Sequence, residues 1–243
     1  MTKLSLLLPS YNEATVLPWS VRTLAAYASK ALADYDWKIV IVDNASSDNT
    51  QAVMTDLQNE QPRLGYLRVP VKGRGIALRT AWTDLDYDVS LYMDVDLAVA
   101  LDAVKPVVDA VAHDHADIAV GSRYAPGAKI ERSVFRSVTS IGYNVLTKLF
   151  VGLRTRDAQC GFKAIRKDVA LQLLPLVRDT KWFFDTELLV RAERRGLRVV
   201  EIPVSWVETR PALRKSKVKV LHTIFVYIVD LARLRWAIVR HQL

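Results

Sequence analysis

Apolar residues in this chain gather in short runs, each closed by a polar loop, and longer stretches with helical spacing separate the runs. Residues 4–8 form the first run and end in Pro9-Ser10-Tyr11-Asn12-Glu13, after which the spacing predicts a helix over 14–32. A second strand is predicted over 38–42, ending at Asp43, followed by a helix that Ser47 or Asp48 caps and that runs to about Asn59. Residues 64–69 read as a third strand, Lys72-Gly73-Arg74-Gly75 as a loop, and 76–84 as a helix. Residues 89–93 are a fourth strand, 101–113 a helix, and 117–120 a strand closed by Gly121-Ser122-Arg123. Such alternation predicts an α/β fold, with a mostly parallel central sheet flanked by helices. Parallel sheets bind ligands outside the carboxyl ends of their strands, so the loops after these strands are expected to form one site.

The loops carry matching chemistry. Asp94-Val95-Asp96 puts two carboxylates at a strand end, a pattern suited to a hard divalent cation that keeps positions open for phosphate oxygens. Asp43 and Asp48 are acceptors for a base or ribose, Arg74 is a donor between two glycines, and Arg123 suits a phosphate. No G-x-G-x-x-G follows the first strand and no P-loop motif is present, which argues against a Rossmann or P-loop reading.

At 243 residues and 51% apolar content the chain buries one sizeable core, and Cys160, the single cysteine, allows no internal disulfide. The first apolar run is too short for a signal peptide, and no stretch of 18 uncharged apolar residues occurs. Of the net charge of +8, the segment from Arg210 onward carries +7: eight basic residues against Asp230. That tail also holds the uncharged apolar stretch 220–229. The combination points to an anionic membrane or lipid phosphate, and the aromatics are not interleaved with the basic cluster as nucleic-acid binding would need. The expected organisation is a catalytic domain over 1–210 and a basic, amphipathic, membrane-associating helical tail over 211–243.

Four motifs in order, Pro9-Ser10-Tyr11-Asn12-Glu13, Val42-Asp43-Asn44 through Thr50, Lys72-Gly73-Arg74-Gly75 and Asp94-Val95-Asp96, resemble family 2 glycosyltransferases of the GT-A fold. In the second half, Gly121-Ser122-Arg123-Tyr124, Arg132 to Arg136, Asp157-Ala158-Gln159-Cys160-Gly161-Phe162-Lys163 and the segment from Trp182 to Leu189 resemble polyprenyl-phosphate sugar synthases, most of all the dolichyl-phosphate glucosyltransferases. Asn44 departs from the usual second acid, Leu97-Ala98-Val99 replaces the Gln-containing segment of many mannose synthases, and Lys215 replaces a usual Gly before Ser216-Lys217. The resemblance implies inverting transfer of a hexose, foremost glucose from UDP-glucose, to a polyprenyl or dolichyl phosphate with Mg2+ or Mn2+. Mannose transfer from GDP-mannose and use of another UDP-hexose are the alternatives, and a membrane-surface nucleotide-binding domain is the non-enzymatic one. It implies Pro9, Tyr11, Glu13, Asp43, Asp48, Arg74 and Asp94 for the nucleotide sugar, and Asp94 and Asp96 for the metal. Arg123, Arg136, Ser140 and Lys217 are implied for the acceptor phosphate, and Asp96, Arg123, Arg136, Asp157 and Gln159 for catalysis. A peripheral position on the cytoplasmic membrane face is expected, with oligomeric state left open. Phe184 and Trp206 read as core, Cys160 as a small buried hydrophobe, and one of Asp185 and Glu187, two apart on a helix, as a solvated charge.

Overall fold

The computed structural model describes residues 1–131, 134–207 and 220–240, with 134–136, 138 and 220–225 described by backbone alone. The first half holds β1 (Lys3–Ser10), α1 (Leu17–Ala31), β2 (Asp36–Asn44), α2 (Thr50–Glu60), β3 (Leu64–Val69), α3 (Arg74–Asp84), β4 (Val89–Met93), α4 (Val104–Ala112) and β5 (Ile118–Ser122). The second half adds β6 (Lys129–Glu131), α5 (Val134–Val151), β7 (Phe162–Arg166), α6 (Lys167–Leu173), α7 (Phe184–Arg194), β8 (Val199–Pro203), β9 (Ser205–Val207) and α8 (Val220–Val239). The predicted elements of the first half are present, with shifted ends. The first helix starts at Leu17 rather than 14, because Val16 and Leu17 N–H donate to the Glu13 carbonyl in a turn and Pro18 fits the helix's first positions. A short 3-10 turn, Leu101–Ala103, precedes α4.

Seven strands form one sheet in the order β3-β2-β1-β4-β7-β5-β8, and β6 pairs with β9 in a second, two-stranded sheet. Within the large sheet, β7 is antiparallel to both β4 and β5, and the other pairs are parallel. Parallel strands are joined by crossovers, so both faces are covered and the strands read as near-continuous apolar runs. In β1, Leu4, Leu6 and Leu8 enter one core with Val21, Leu24 and Val107, while Leu7 enters the other with Leu78, Trp82 and Phe184. Leu231, Leu234 and Ile238 of α8 are buried in the second core. No helix among the described residues is long and apolar enough to cross a membrane.

Candidate active site

The carboxyl ends of β1, β2 and β4, which run parallel, deliver Ser10, Asp43 and Asp94 to one rim of the sheet. The loops after β1 and β2 are tied together. Asn12 N–H donates to Ser46 Oγ at 2.9 Å, Ser47 N–H to Asn12 Oδ1 at 2.8 Å, and Ala14 N–H to Asp48 Oδ2 at 3.2 Å. Glu13 N–H reaches Thr50 Oγ1 at 3.4 Å, and Lys72 Nζ donates to Tyr11 Oη at 2.5 Å while lying over the Tyr11 ring. Pro9 stands opposite Val42 in the β1–β2 register. Asp48 is exposed and accepts from Thr50 N–H and Oγ1 at the start of α2. Asp43 is fully buried. Its Oδ1 accepts from Ser46 N–H at 2.9 Å, and its Oδ2 from Tyr66 Oη at 2.6 Å and Arg68 Nη1 at 3.4 Å. Burial, and then the bond to Asp43, push the Tyr66 hydroxyl up to about 12, so it stays a donor.

Asp94 and Asp96 leave β4 in a tight turn closed by Leu97 N–H donating to the Asp94 carbonyl, with Leu97 in the left-handed region at φ 48°. Ser20 of α1 donates its hydroxyl to the Val95 carbonyl at 2.5 Å, so the peptide between the two acids is pinned from below. The Asp94 side chain is 42% exposed and that of Arg74 only 11%. Arg74 Nη2 lies 3.2 Å from Asp94 Oδ1, and its Nε lies 3.8 Å from Asp185 Oδ2. The guanidinium sits over the rings of Tyr92 and Trp182 at 5.4 and 5.3 Å. Burial opposes the Arg74 charge, but Asp94 and then Asp185 outweigh it and raise its pKa above the ordinary arginine value. Yet Nε and Nη2 are buried without a hydrogen-bond partner.

Local sequence builds this arrangement. Asn44, the departure from the usual acid, accepts Gly73 N–H on its Oδ1 at 2.9 Å and so holds the loop that carries Arg74. At Gly73, φ +155°, a Cβ would stand 2.3 Å from the Thr180 carbonyl oxygen. A Cβ on Gly161 would meet Arg74 Nη2 at 2.4 Å and Asp94 Oδ2 at 2.5 Å, so only glycine leaves room for the Arg74–Asp94 pair.

A cavity of about 70 Å³ opens beside Asp94, and Arg123, Gln159, Gly161 and Trp206 also line it. Arg123 meets Asp157 through a fork, Nε to Oδ2 and Nη2 to Oδ1, both at 2.8 Å, and its own N–H donates to Oδ2 at 2.9 Å. Burial works against the Arg123 charge and Asp157 more than compensates, so the pKa is raised. Asp157 is fully buried, and its role in the structure is to hold Arg123. Gln159 Nε2 donates to Thr186 Oγ1 at 2.8 Å and Tyr143 Oη at 3.3 Å, and its Oε1 accepts from Tyr227 Oη at 3.3 Å. It therefore joins α5, α7 and α8 at the cavity wall. Ser140 lies half-buried in α5 and does not line the cavity. Arg136 is placed by backbone alone in the first turn of α5, and Lys217 lies outside the described residues.

Several residues of the site carried no role in the sequence reading. Lys163 is 1% exposed and Asp185 2%. Lys163 Nζ donates to Asp185 Oδ1 and Tyr92 Oη, each at 3.1 Å, and to the Cys160 carbonyl, while Tyr92 Oη also donates to Asp185. The available signal was a lysine inside the apolar strand Phe162–Arg166. The expectation that one of Asp185 and Glu187 is solvated is corrected: both are buried. Glu187 accepts Arg178 and Asp179 N–H on Oε2 and pairs with Arg191 on Oε1, because α7 is buried over most of its surface. Trp206, read as core, is half-buried and forms part of the cavity wall, whereas Phe184 is core. Burial pushes the Cys160 thiol up to about 12, which leaves it an inert hydrophobe.

Among the described residues, no group of three or more His, Cys, Asp or Glu side chains could hold a metal ion alone. Two hard carboxylates, Asp94 and Asp96, fit a cation that takes its remaining ligands from phosphate and water, as Mg2+ commonly does.

Residues 5–174 match the family model described as glycosyl transferase family 2. The chain is 35% identical to glycosyltransferase AglD of Haloferax volcanii over 84% of its own length and 33% of that protein's. It is 30% identical to the dolichyl-phosphate beta-glucosyltransferase of Saccharomyces cerevisiae over 84% of its own length and 67% of the other. The chain thus spans a third of the first relative and two thirds of the second. Two solved structures share the fold at 16% identity. The mannosyltransferase PcManGT from Pyrobaculum calidifontis, in complex with GDP-Man and Mn2+, has a TM-score of 0.62 and aligns over 99% of this chain and 64% of its own. The glucosyl-3-phosphoglycerate synthase from Mycobacterium tuberculosis, in complex with UDP, has a TM-score of 0.67 and aligns over 95% and 80%. With the family model matching well over half of its length, this chain belongs to glycosyl transferase family 2.

Proposed function

We propose that the chain transfers a hexose from a nucleoside diphosphate sugar to a polyprenyl or dolichyl phosphate, inverting the anomeric carbon. The observation that carries the reading is a single cleft lined by Asp94, Arg123 and Gln159, with Arg74 paired to Asp94 behind the cleft wall. The relatives named dolichyl-phosphate beta-glucosyltransferase support the lipid-phosphate acceptor. In this reading the loops carrying Pro9, Tyr11, Glu13, Asp43 and Asp48 hold the nucleoside. Arg74, paired with Asp94, brings positive charge close to the diphosphate. Asp94 and Asp96 hold Mg2+ or Mn2+, which when bound supplies Lewis-acid neutralisation of the leaving diphosphate. Arg123, fixed by Asp157, offers positive charge to the acceptor phosphate, with Arg136, Ser140 and Lys217 as further acceptor contacts. One acceptor phosphate oxygen bonds to the anomeric carbon as the sugar–diphosphate C–O bond breaks. The bonding pair leaves with the nucleoside diphosphate, and no proton need be removed from an ionised acceptor. Catalysis is then positioning and charge stabilisation.

Glucose from UDP-glucose is the favoured donor. Mannose from GDP-mannose is the second reading, favoured by the 29% identity to the dolichol-phosphate mannosyltransferase of Pyrococcus furiosus. In this reading the protein works peripherally on the cytoplasmic membrane face, with residues 1–210 for catalysis and 211–243 for membrane association, the tail's α8 also packing on the catalytic part through Tyr227 and Leu231. The test is incubation with polyprenyl phosphate and a panel of UDP- and GDP-sugars in Mn2+, with mass analysis of the lipid. A glucosyl-phospholipid from UDP-glucose is expected. A mannosyl product from GDP-mannose selects the second reading, and no lipid-linked sugar from any donor overturns both.

A further inference from the structure

We propose that Asp185 and Lys163 are a positioning pair that holds Arg74 in place beside Asp94 for the donor diphosphate, an inference that rests on Arg74 serving that group as proposed above. Two of the donors at the N-terminus of α3 are turned inward. Gly75 N–H donates to the Lys181 carbonyl at 3.1 Å and Ile76 N–H to the Thr180 carbonyl at 3.0 Å, so these helix-start donors are already engaged. The charge beside Asp94 is the Arg74 guanidinium, 3.2 Å away.

A buried guanidinium needs two things: compensation for its charge and a fixed direction. Asp94 supplies the first only in part, since it is half-exposed and belongs to the D-x-D pair. Asp185 faces Nε from behind, at 3.8 Å, and is itself buried. Alone, Asp185 would bring surplus negative charge into the core. Lys163 and the Tyr92 hydroxyl, both on its Oδ1, offset that, which leaves Oδ2 to face Arg74. Arg74 and Lys163 carry two positive charges, Asp94 and Asp185 two negative ones, and the group is balanced. Tyr92 also covers one side of the Arg74 guanidinium, so the same ring links the pair to its target. The assembly fixes Arg74 between Asp94 and Asp185 by charge and by the Tyr92 ring, while Nε and Nη2 are buried without a hydrogen bond, so its placement depends on these charged neighbours.

A purely structural role would follow fold stability, so the test separates stability from affinity. Asp185→Asn leaves Lys163 buried without its carboxylate partner and lowers the melting temperature. The double variant Asp185→Asn with Lys163→Met removes one charge of each sign and regains most of that loss, but Arg74 stays without its rear anchor. Titration with UDP and with GDP, each in Mn2+, is expected to give about tenfold weaker nucleotide binding in the double variant than in the wild type, the scale of one charge-assisted contact. In an Arg74→Met background the same double change is expected to cost no further affinity. Wild-type affinity in the double variant, or losses that multiply in the Arg74→Met background, would overturn the inference. Binding of neither nucleotide by the wild type would instead overturn the proposed function beneath it.

Discussion

At the scale of single residues, the site depends on side chains whose reach is limited by what lies behind them. Asp96 is buried just beyond the end of β4 and shares with Asp94 the D-x-D turn, in which Ser20 donates to the Val95 carbonyl. Asp96→Ala is expected to abolish transfer and most Mn2+-dependent nucleotide binding while the fold persists, as circular dichroism and nucleotide titration would establish; retained activity in Mg2+ or Mn2+ removes the metal assignment. Gly161→Ala tests the same spot from the other side. Its Cβ would press on the tips of Arg74 and Asp94, which can move, and not on backbone. The melting temperature should shift little, and nucleotide affinity should fall by about tenfold as the ion pair is spread apart. An unchanged affinity would mean that the Arg74–Asp94 geometry does not matter for binding.

At the scale of elements, α3 and α8 are held by contacts that sequence spacing alone does not reveal. Gly75 in α3 lies against Phe184, where an added Cβ would come within 2.7 Å of that side chain's own Cβ. Gly75→Ala should therefore destabilise the protein by about 1–3 kcal/mol, the usual cost of overpacking a core, measurable by urea unfolding. For α8, acidity matters. Asp230 on α8 and Asp179 in the loop before α7 both have pKa values raised chiefly by burial, Asp179 also by the Asp230 charge. Glu187 adds repulsion, while Lys181 and Arg233 offset some of it. A carboxyl whose folded pKa lies above its unfolded value stabilises the fold fully below the unfolded value, and that contribution is lost as pH rises through the folded one. Asp230→Asn should accordingly raise the melting temperature near neutral pH, with the advantage disappearing well below about pH 4, where the wild-type carboxyl is protonated in both states. The Arg233 contact it removes is on an exposed arginine and contributes little. Equal gains at both pH values would show that the carboxyl charge is not the cause.

At the scale of the whole molecule, exposed apolar residues sit on two helices that pack together. Ile141, Val145 and Leu149 recur every four residues on α5, and Ile228, Trp236 and Val239 are exposed on α8. Lys148, Arg233 and Arg235 are exposed on the same helices, and Arg240 just past the end of α8. Apolar groups beside cations suit an anionic bilayer interface, each cation contributing roughly 1 kcal/mol at low salt. Co-sedimentation with vesicles rich in phosphatidylserine should be salt-sensitive, and Leu149→Glu with Trp236→Glu should weaken it severalfold while sparing UDP binding. Unchanged vesicle binding would move the membrane contact elsewhere. Removing residues from 214 onward should weaken membrane binding more strongly still, but it also strips Leu231, Leu234 and Ile238 from the second core, a loss of about 1.5–3 kcal/mol for each side chain.

The order of strands and helices in the first half, and the acids and arginines at the strand ends, were legible in the sequence because apolar periodicity and loop chemistry are local properties. Asp43, Arg74, Asp94 and Arg123 stand at the ends of elements that short-range patterning defines. Partners were not legible. Nothing local says that Asp157 spends its carboxylate on Arg123, that Asn44 holds Gly73, or that Asp185 and Lys163 meet across 22 positions under Tyr92. The antiparallel entry of β7 between β4 and β5 puts Lys163 beside Tyr92, and the β2–β3 pairing brings Asn44 near Gly73; strand order is a choice among long-range pairings with similar local patterns. The sequence by itself determined the α/β alternation, the acidic and cationic chemistry and the family. Which charges are buried, which are balanced and which are left reaching toward a ligand was decided only by tertiary packing, because burial and charge compensation depend on what the rest of the chain places within a few ångströms.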